Sequence, residues 1–188
     1  MTVPGLQAPK RAPRELSSGG RSGTISYTKN TRVYLAGPDG FTPVLSNWHR
    51  DVLVPAVAAA GLTPVSPWGN FVAEFAAAFA MAPGPARTAV LADLDKRVGE
   101  ANAKMIETSA GILAQLDGVD VDSGTASEIG YGSALDLFIC GVRSDFRLSS
   151  DNEGTRVNLQ VEYFITRTGG HVHATNEAAI AELAALVL

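Results

Sequence analysis

The sequence predicts an α/β fold with a doubly wound parallel sheet in a single domain. Short β-rich apolar runs alternate along the chain with segments whose apolar residues recur at helical spacing. This alternation is typical of a parallel sheet with helices on both faces. A length of 188 residues suits one domain with a sizeable core, and the composition (46% hydrophobic, 18% charged) is that of an ordinary globular protein.

The first half of the ordered chain predicts two strands and two helices. Arg32–Ala36 is a β-rich run that ends in a Gly-Pro-Asp-Gly turn. Residues 46–60 show helical spacing and are followed by Gly61, a common helix stop. Residues 62–66 are predicted to form the second strand. An Ala- and Phe-rich helix is expected at 71–81, ended by a Pro-Gly-Pro sequence.

The second half predicts two further strands between helices. A long amphipathic helix at 88–108 leads into the apolar run 109–116, which is predicted to be a buried third strand. An acid- and glycine-rich turn follows, and then a helical pattern that includes Ile129. Residues 137–142 predict the fourth strand, and an Ala- and Leu-rich helix is expected at 177–188.

Charge is distributed unevenly along the chain. The net charge is −4, but residues 1–30 carry five basic residues and one acid, which leaves the remainder at −8. An acidic body argues against nucleic-acid binding. Residues 1–29 are rich in Pro, Gly, Ser and Arg, and we predict a disordered basic arm there, before a folded domain at 30–188.

Several classes of site and location are not expected. No apolar run approaches about 18 residues, and no signal-peptide pattern is present, so we expect a cytoplasmic protein without membrane contact. Cys140 lies in an apolar run and is expected to pack in the core. His171 and His173 flank one valine, which favours a loop or edge strand over a metal site, so no metal is predicted.

The segment after the third predicted strand contains the candidate chemistry. Four acids lie between 117 and 128, among several glycines. Ligands of open α/β sheets bind beyond the carboxyl ends of the strands, where such a segment lies. A helix cap at Ser123 or Thr125 would account for one acid near a helix start, but not for four. We therefore take Asp122 and Glu128 as candidate functional residues.

Carboxylates in such a cleft can cleave a glycosidic bond. A carboxylate attacks the anomeric carbon while the leaving group departs through an oxocarbenium-like transition state. We expect the helix dipole to hold Glu128 ionised, as a nucleophile requires. A second polar group must then handle a proton on the leaving group, and a third must orient the sugar.

Two motifs in this order closely resemble the nucleoside 2-deoxyribosyltransferase family. They are Tyr34-Leu-Ala-Gly37-Pro-Asp39 and Asp122-Ser-Gly-Thr-Ala-Ser-Glu128-Ile-Gly-Tyr131, and the resemblance covers roughly residues 33–170. It implies a flavodoxin-like sheet and a role in nucleotide salvage. It also implies a cofactor-free exchange in which a deoxyribosyl–glutamate intermediate passes the sugar from a nucleoside to a free nucleobase.

The resemblance also assigns roles to single residues. Glu128 corresponds to the nucleophile, Tyr34 to its hydrogen-bond partner, and Asp122 to the acid that binds the sugar 5′-hydroxyl. Asn158 corresponds to an asparagine that reaches the 5′ end from a neighbouring subunit, which implies a homo-oligomer with shared active sites. The residues expected to line the base and sugar pocket are Gly37, Asp39, Phe41 and Gly124.

Asn102 departs from the family pattern. It stands 26 residues before Glu128, where the family often has an aspartate that handles the base proton. An amide can hydrogen-bond the base but cannot act as a carboxylic acid. Glu100 is not a substitute, because two residues along a helix point elsewhere. Relatives that hydrolyse nucleoside 5′-monophosphates have small hydroxyl residues where Asp122 stands, and a carboxylate would repel a phosphate, which favours a free nucleoside.

Alternatives stay open at this point. Water could replace the acceptor base, which would make the protein a nucleoside or nucleoside 5′-monophosphate hydrolase. A non-catalytic nucleoside sensor could use the same cleft. The Gly-Thr-x-x-Glu core also resembles phosphoribohydrolases of the cytokinin-activating type, but their preceding Pro-Gly-Gly is absent. Among single residues, Tyr34 could be core packing, Asp39 turn chemistry and Asn158 a helix cap.

Overall fold

The computed structural model describes residues 30–188, so the arm predicted at 1–29 lies outside the described residues. Five parallel strands form one sheet in the order β2-β1-β3-β4-β5. They are β1 Arg32–Ala36, β2 Thr63–Val65, β3 Gly111–Gln115, β4 Phe138–Val142 and β5 Val172–His173. This is the flavodoxin-like order, and it confirms the predicted doubly wound sheet in one domain.

The helices connect successive strands or follow the last one. They are α1 Pro43–Trp48, α2 Val54–Ala59, α3 Val72–Ala80, α4 Pro85–Glu107, α5 Ser123–Ala134, α6 Leu159–Thr166 and α7 Asn176–Val187. A 3-10 turn at Asp39–Phe41 precedes α1, and a π-helical turn at His49–Leu53 joins α1 to α2. The helix predicted at 46–60 therefore begins earlier, at Pro43, where the Thr42 side chain caps it.

The core has two layers, one on each face of the sheet. Successive residues of β1 alternate between them: Val33 and Leu35 pack with α2 and α7, whereas Tyr34 and Ala36 face the side covered by α5 and α6. Cys140 is buried in the first of these layers, as predicted. Because Tyr34 lies on the α5 side, its side chain is directed towards the helix that carries Glu128.

The neighbouring strands β1 and β3 end at the same level. Ala36 pairs with Ala114, so the loops after β1 and β3 begin side by side where the order of strands reverses. A Cβ atom on Gly37 would lie 2.9 Å from Cβ of Gln115, so this close approach requires glycine. The fold thus brings the two motifs to one edge of the sheet.

Other parts of the chain extend the predicted pattern. Residues 157–164, which the sequence left unassigned, form most of α6, and Asn158 caps it by accepting a hydrogen bond from Gln160 N. His173 lies in a short edge strand, in agreement with the sequence. No helix within residues 30–188 is both long enough and apolar enough to cross a bilayer.

Candidate active site

A cleft of about 360 Å³ lies at the carboxyl ends of β1 and β3. Its size falls within the range of small-molecule sites. It brings together six of the predicted site residues, namely Gly37, Phe41, Asn102, Asp122, Gly124 and Glu128. The other residues that line it are Pro67, Trp68, Phe75, Asp95, Val98 and Thr125.

The carboxylate of Glu128 is held by the phenol of Tyr34. The Tyr34 hydroxyl donates to Glu128 Oε1 at 2.5 Å, although the two residues are 94 positions apart in the sequence. Tyr34 is fully buried, and burial together with the nearby carboxylate raises the pKa of its hydroxyl far above the ordinary value. The phenol therefore stays protonated at neutral pH and donates to Glu128.

The pKa of Glu128 is shifted upward, whereas the helix-dipole argument predicted a carboxylate held ionised. Its pKa is raised to about 7, chiefly because burial removes water from the carboxylate. The hydrogen bond from Tyr34 lowers this pKa, whereas the charge of Asp122 raises it. Glu128 lies in the second turn of α5, where the dipole is weaker than at the first turn, so desolvation dominates.

Asp122, rather than Ser123 or Thr125, caps α5. Its Oδ2 accepts hydrogen bonds from Thr125 N at 3.0 Å and from Thr125 Oγ1 at 3.2 Å. A Cβ atom on Gly124 would lie 3.1 Å from the same oxygen, so the small residue leaves the carboxylate room. The capping and substrate-binding roles are compatible, because a carboxylate has lone pairs beyond those used by the cap.

The long helix α4 forms one wall of the cleft. Asp95, Val98 and Asn102 line it, and their spacing of three and four residues places them on one helix face. Asn102 was predicted from its distance to Glu128, but Asp95 was missed. The signal was present in the sequence, because Asp95 lies two turns before Asn102 on the same face.

Aromatic side chains form the opposite part of the cleft. Phe41 and Trp68 meet edge-to-face with ring centroids 5.0 Å apart, and Phe75 of α3 also lines the space. A Cβ atom on Gly40 would fall 1.9 Å from the Trp68 ring, so the ring packs directly on the glycine backbone. Such flat apolar surfaces suit the faces of a nucleobase. Of these rings, only Phe41 was predicted from the sequence.

Asp39 does not line this cleft, in contrast to the prediction. It is buried, and its Oδ2 lies 3.0 Å from His49 Nδ1. His49 Nε2 lies 2.8 Å from Ser66 Oγ, which accepts a hydrogen bond from Trp68 N. Through His49 and Ser66, Asp39 therefore stabilises the loop that carries Trp68. His49 is also buried, and it connects the two loops.

A buried arginine fixes the turn between β3 and α5. Arg143 Nη1 donates to the carbonyl oxygens of Leu116 at 2.7 Å and Gly118 at 2.8 Å. Asp117 accepts hydrogen bonds from the backbone N–H groups of Ser144 and Asp145. These bonds tie the turn that leads to Asp122 to the loop after β4.

Asn158 lies outside the cleft of its own chain. It is exposed and caps α6, and it does not appear among the residues that line the cleft. Its predicted role concerns the active site of a neighbouring subunit, which a single chain does not test. That role therefore stays a prediction.

One group of metal-ligating side chains lies within the described residues. Cys140, His173 and Glu182 each place one ligand atom within 4.8 Å of the others. Glu182 Oε2 is 3.2 Å from Cys140 Sγ and 2.7 Å from His173 Nε2, and Oε1 is 2.7 Å from His171 Nδ1. These hydrogen bonds tie α7 to the edge of the sheet. None of the four side chains lines the cleft that contains Glu128.

Comparison with known proteins agrees with this geometry. The family model described as Nucleoside 2-deoxyribosyltransferase matches residues 33–160. The search of curated proteins returned no significant match. The match to this family supports an enzyme of the deoxyribosyltransferase type.

Solved structures share the fold at low sequence identity. A 2-desoxiribosyltransferase from Leishmania mexicana is 23% identical, with a TM-score of 0.60 over 84% of this chain and 99% of that chain. A conserved protein from Enterococcus faecalis V583 is 22% identical, with a TM-score of 0.61 over 85% of this chain and 99% of that chain. A 2-deoxyribosyltransferase from Bacillus psychrosaccharolyticus is 20% identical, with a TM-score of 0.51 over 71% and 82%. On the match of the family model, the chain belongs to the nucleoside 2-deoxyribosyltransferase family.

Proposed function

We propose that this protein transfers 2-deoxyribose from a 2′-deoxynucleoside to a free nucleobase. The observation that carries the proposal is the Tyr34–Glu128 hydrogen bond in a cleft whose other walls are aromatic rings and the polar face of α4. It places an oriented carboxylate beside flat apolar surfaces. A nucleophile for the sugar and a binding surface for the base thus lie in one space.

The first half-reaction breaks the glycosidic bond. A carboxylate oxygen of Glu128 attacks C1′ of the sugar, the C1′–N bond breaks, and its electron pair stays on the base nitrogen. The amide of Asn102 donates a hydrogen bond to the departing base, and the base takes its proton from solvent or from a neighbouring acid. The Tyr34 phenol keeps the carboxylate in one orientation, which improves the geometry of attack.

The second half-reaction restores the enzyme. A nitrogen of the incoming base attacks C1′ and loses its proton, while the electron pair of the C1′–O bond returns to Glu128. If water attacks instead, free deoxyribose leaves and the reaction is a hydrolysis. The apolar rings favour the base, because they bind its faces and displace water from the site.

The charge of the cleft favours free nucleosides over nucleotides. Asp95, Asp122 and Glu128 contribute three carboxylates, and none of the described residues that line the cleft is Lys, Arg or His. A phosphate dianion would meet like charges without a compensating cation, at a cost of about 1 kcal/mol or more per close pair. The substrate is therefore proposed to be uncharged at its 5′ end.

Product analysis tests the proposal directly. The protein is incubated with thymidine or deoxyinosine, with and without adenine, and the products are separated by chromatography. We expect deoxyadenosine to form only when adenine is present. Formation of free base and free sugar at equal rates in both samples would indicate a hydrolase. Nucleoside that stays intact in both samples would contradict the enzymatic proposal.

Asp122→Ser is expected to improve relative activity on a deoxynucleoside 5′-monophosphate. Serine also caps helices well, so α5 should be retained while the negative charge is lost. Since the charge of Asp122 raises the pKa of Glu128, the substitution should also lower the pH at which the nucleophile ionises. Activity on both substrates across pH 5–9 measures both effects. An unchanged substrate ratio would contradict the assignment of Asp122 to the 5′ end.

Asn158 is proposed to complete the site of a neighbouring copy of the chain. It is exposed, and its Oδ1 is occupied by the cap while its Nδ2 group has no partner among residues 30–188. We expect Asn158→Ala and Glu128→Gln to be nearly inactive alone, but to regain activity when the two variants are co-expressed. One site in the mixed oligomer then has both wild-type residues. Wild-type activity of Asn158→Ala, or no recovery in the mixture, would contradict a shared site.

A further inference from the structure

Among the acids of α4, only Asp95 has no ion pair or hydrogen bond from its side chain to another residue within 30–188. The others have partners: Asp93 lies 3.8 Å from Arg97, Glu100 lies 3.7 Å from Lys96, and Glu107 binds both Lys104 and the Tyr131 hydroxyl. Asp95 instead lines the cleft. A carboxylate without a protein partner inside a ligand cleft is available to a ligand.

Asp95 lies further out along α4 than Asn102 and Glu128. The two crossover helices α4 and α5 run in the same direction, and the Tyr131–Glu107 hydrogen bond fixes their relative height. Glu128 lies one turn before Tyr131, and Asn102 lies five residues before Glu107. Glu128 and Asn102 are therefore at similar heights along the two helices. Asp95 is seven residues further out, which is about 10 Å along the helix axis.

This separation suits a nucleobase together with a hydrogen bond at its far edge. With C1′ at Glu128, the glycosidic nitrogen lies nearest Asn102, and the opposite edge of the base points outward along α4. The rings of Phe41, Trp68 and Phe75 line the same cleft, so the faces of a base bound there would lie against them and its edge would be left for the polar side chains of α4. Asp95 is therefore placed to meet the edge opposite the glycosidic bond.

We infer that Asp95 selects bases that carry an amino group at that edge, namely adenine and cytosine, over hypoxanthine and uracil. A carboxylate accepts a hydrogen bond from an amino group but repels a carbonyl oxygen at the same position. The inference rests on the proposed function, because it places the sugar at Glu128.

Binding of free bases tests this inference without requiring turnover. Calorimetry with adenine and hypoxanthine is carried out on the wild type and on Asp95→Asn, and cytosine and uracil provide the pyrimidine pair. We expect the wild type to bind the amino base about tenfold to a hundredfold more tightly, as for a hydrogen bond to a charged group. Asp95→Asn should lose this preference, since an amide can also donate to a carbonyl oxygen.

The matched control is Asp93→Asn. It removes a carboxylate from the same helix two residues away, outside the cleft, and should leave the preference unchanged. Equal binding of both bases by the wild type, or the same preference in Asp95→Asn, would overturn the inference. Turnover is measured separately: an Asp95-dependent preference without transfer of deoxyribose would uphold the inference on base selection while refuting the proposed function.

Discussion

Glu128→Gln is expected to abolish deoxyribosyl transfer and, at the same time, to stabilise the folded chain at pH 8. Glutamine can still accept the hydrogen bond from Tyr34, so the fold is retained, but its amide oxygen cannot form the glycosyl ester. Loss of a catalytic nucleophile typically reduces the rate on the order of 10⁴-fold or more. Chromatographic assays of transfer, with Glu100→Gln as an exposed control on α4, measure the effect.

The gain in stability follows from the raised pKa of Glu128. The folded chain binds the proton with a pKa of about 7, compared with 4.5 for the unconstrained side chain. Below pH 4.5 both states are protonated, and the carboxylate costs nothing. Between pH 4.5 and 7 the unfolded state ionises while the folded state stays protonated, so the cost of the carboxylate to the folded state grows and reaches about 3 kcal/mol above pH 7.

Glutamine carries no charge and avoids this cost. We therefore expect urea unfolding to show Glu128→Gln more stable than the wild type at pH 8, with the difference nearly absent at pH 4.5. A difference that is the same at both pH values would contradict the raised pKa. Residual transfer at the wild-type rate would contradict the role of Glu128 as nucleophile.

Tyr34→Phe is expected to move the acid limb of the pH–rate profile upward. The phenol donates to Glu128 Oε1 at 2.5 Å, and this hydrogen bond lowers the pKa of the carboxylate. Phenylalanine keeps the ring packed but removes the donor, so the pKa of Glu128 should rise by about one unit. At pH 7 a smaller fraction of the nucleophile is ionised, and the carboxylate is free to rotate.

We expect the single-turnover rate at pH 7 to fall about tenfold to a hundredfold, with part of the loss recovered at pH 9. Asp122→Ser provides the matched comparison, because it should move the same midpoint downward. The opposite signs distinguish an electrostatic role from a general loss of structure. A midpoint that stays in place or falls in Tyr34→Phe would show that the hydrogen bond does not tune the nucleophile.

Much of the fold follows from local patterns, whereas the site depends on contacts between distant segments. β1 matches its predicted range, because apolar and β-branched residues in short runs are a local signal. The edge strand β5 has only two residues, so its sequence did not distinguish a strand from a loop. The helix α6 was missed because its start depends on the Asn158 cap after a long polar loop.

The site residues divide in the same way. Glu128 and Asp122 stand in one recognisable motif, so the sequence could locate them. The raised pKa of Glu128 could not be predicted, since it arises from burial by segments far away in the chain. Trp68 also became visible only when the loop after β2 was placed beside the cleft, whereas Asp95 could have been found from its helical spacing to Asn102. For Asp39, the turn motif suggested the pocket, but its buried contact with His49 directs it elsewhere.

Capture of the glycosyl–enzyme intermediate tests the central claim most directly. The protein is mixed with a 2′-deoxynucleoside in the absence of acceptor base, quenched, digested and analysed by mass spectrometry. The proposed mechanism predicts a mass increase of one deoxyribosyl group on the peptide that contains Glu128, which disappears when free base is added before the quench. A protein that transfers deoxyribose in a parallel assay but carries no such adduct on Glu128 would contradict the mechanism.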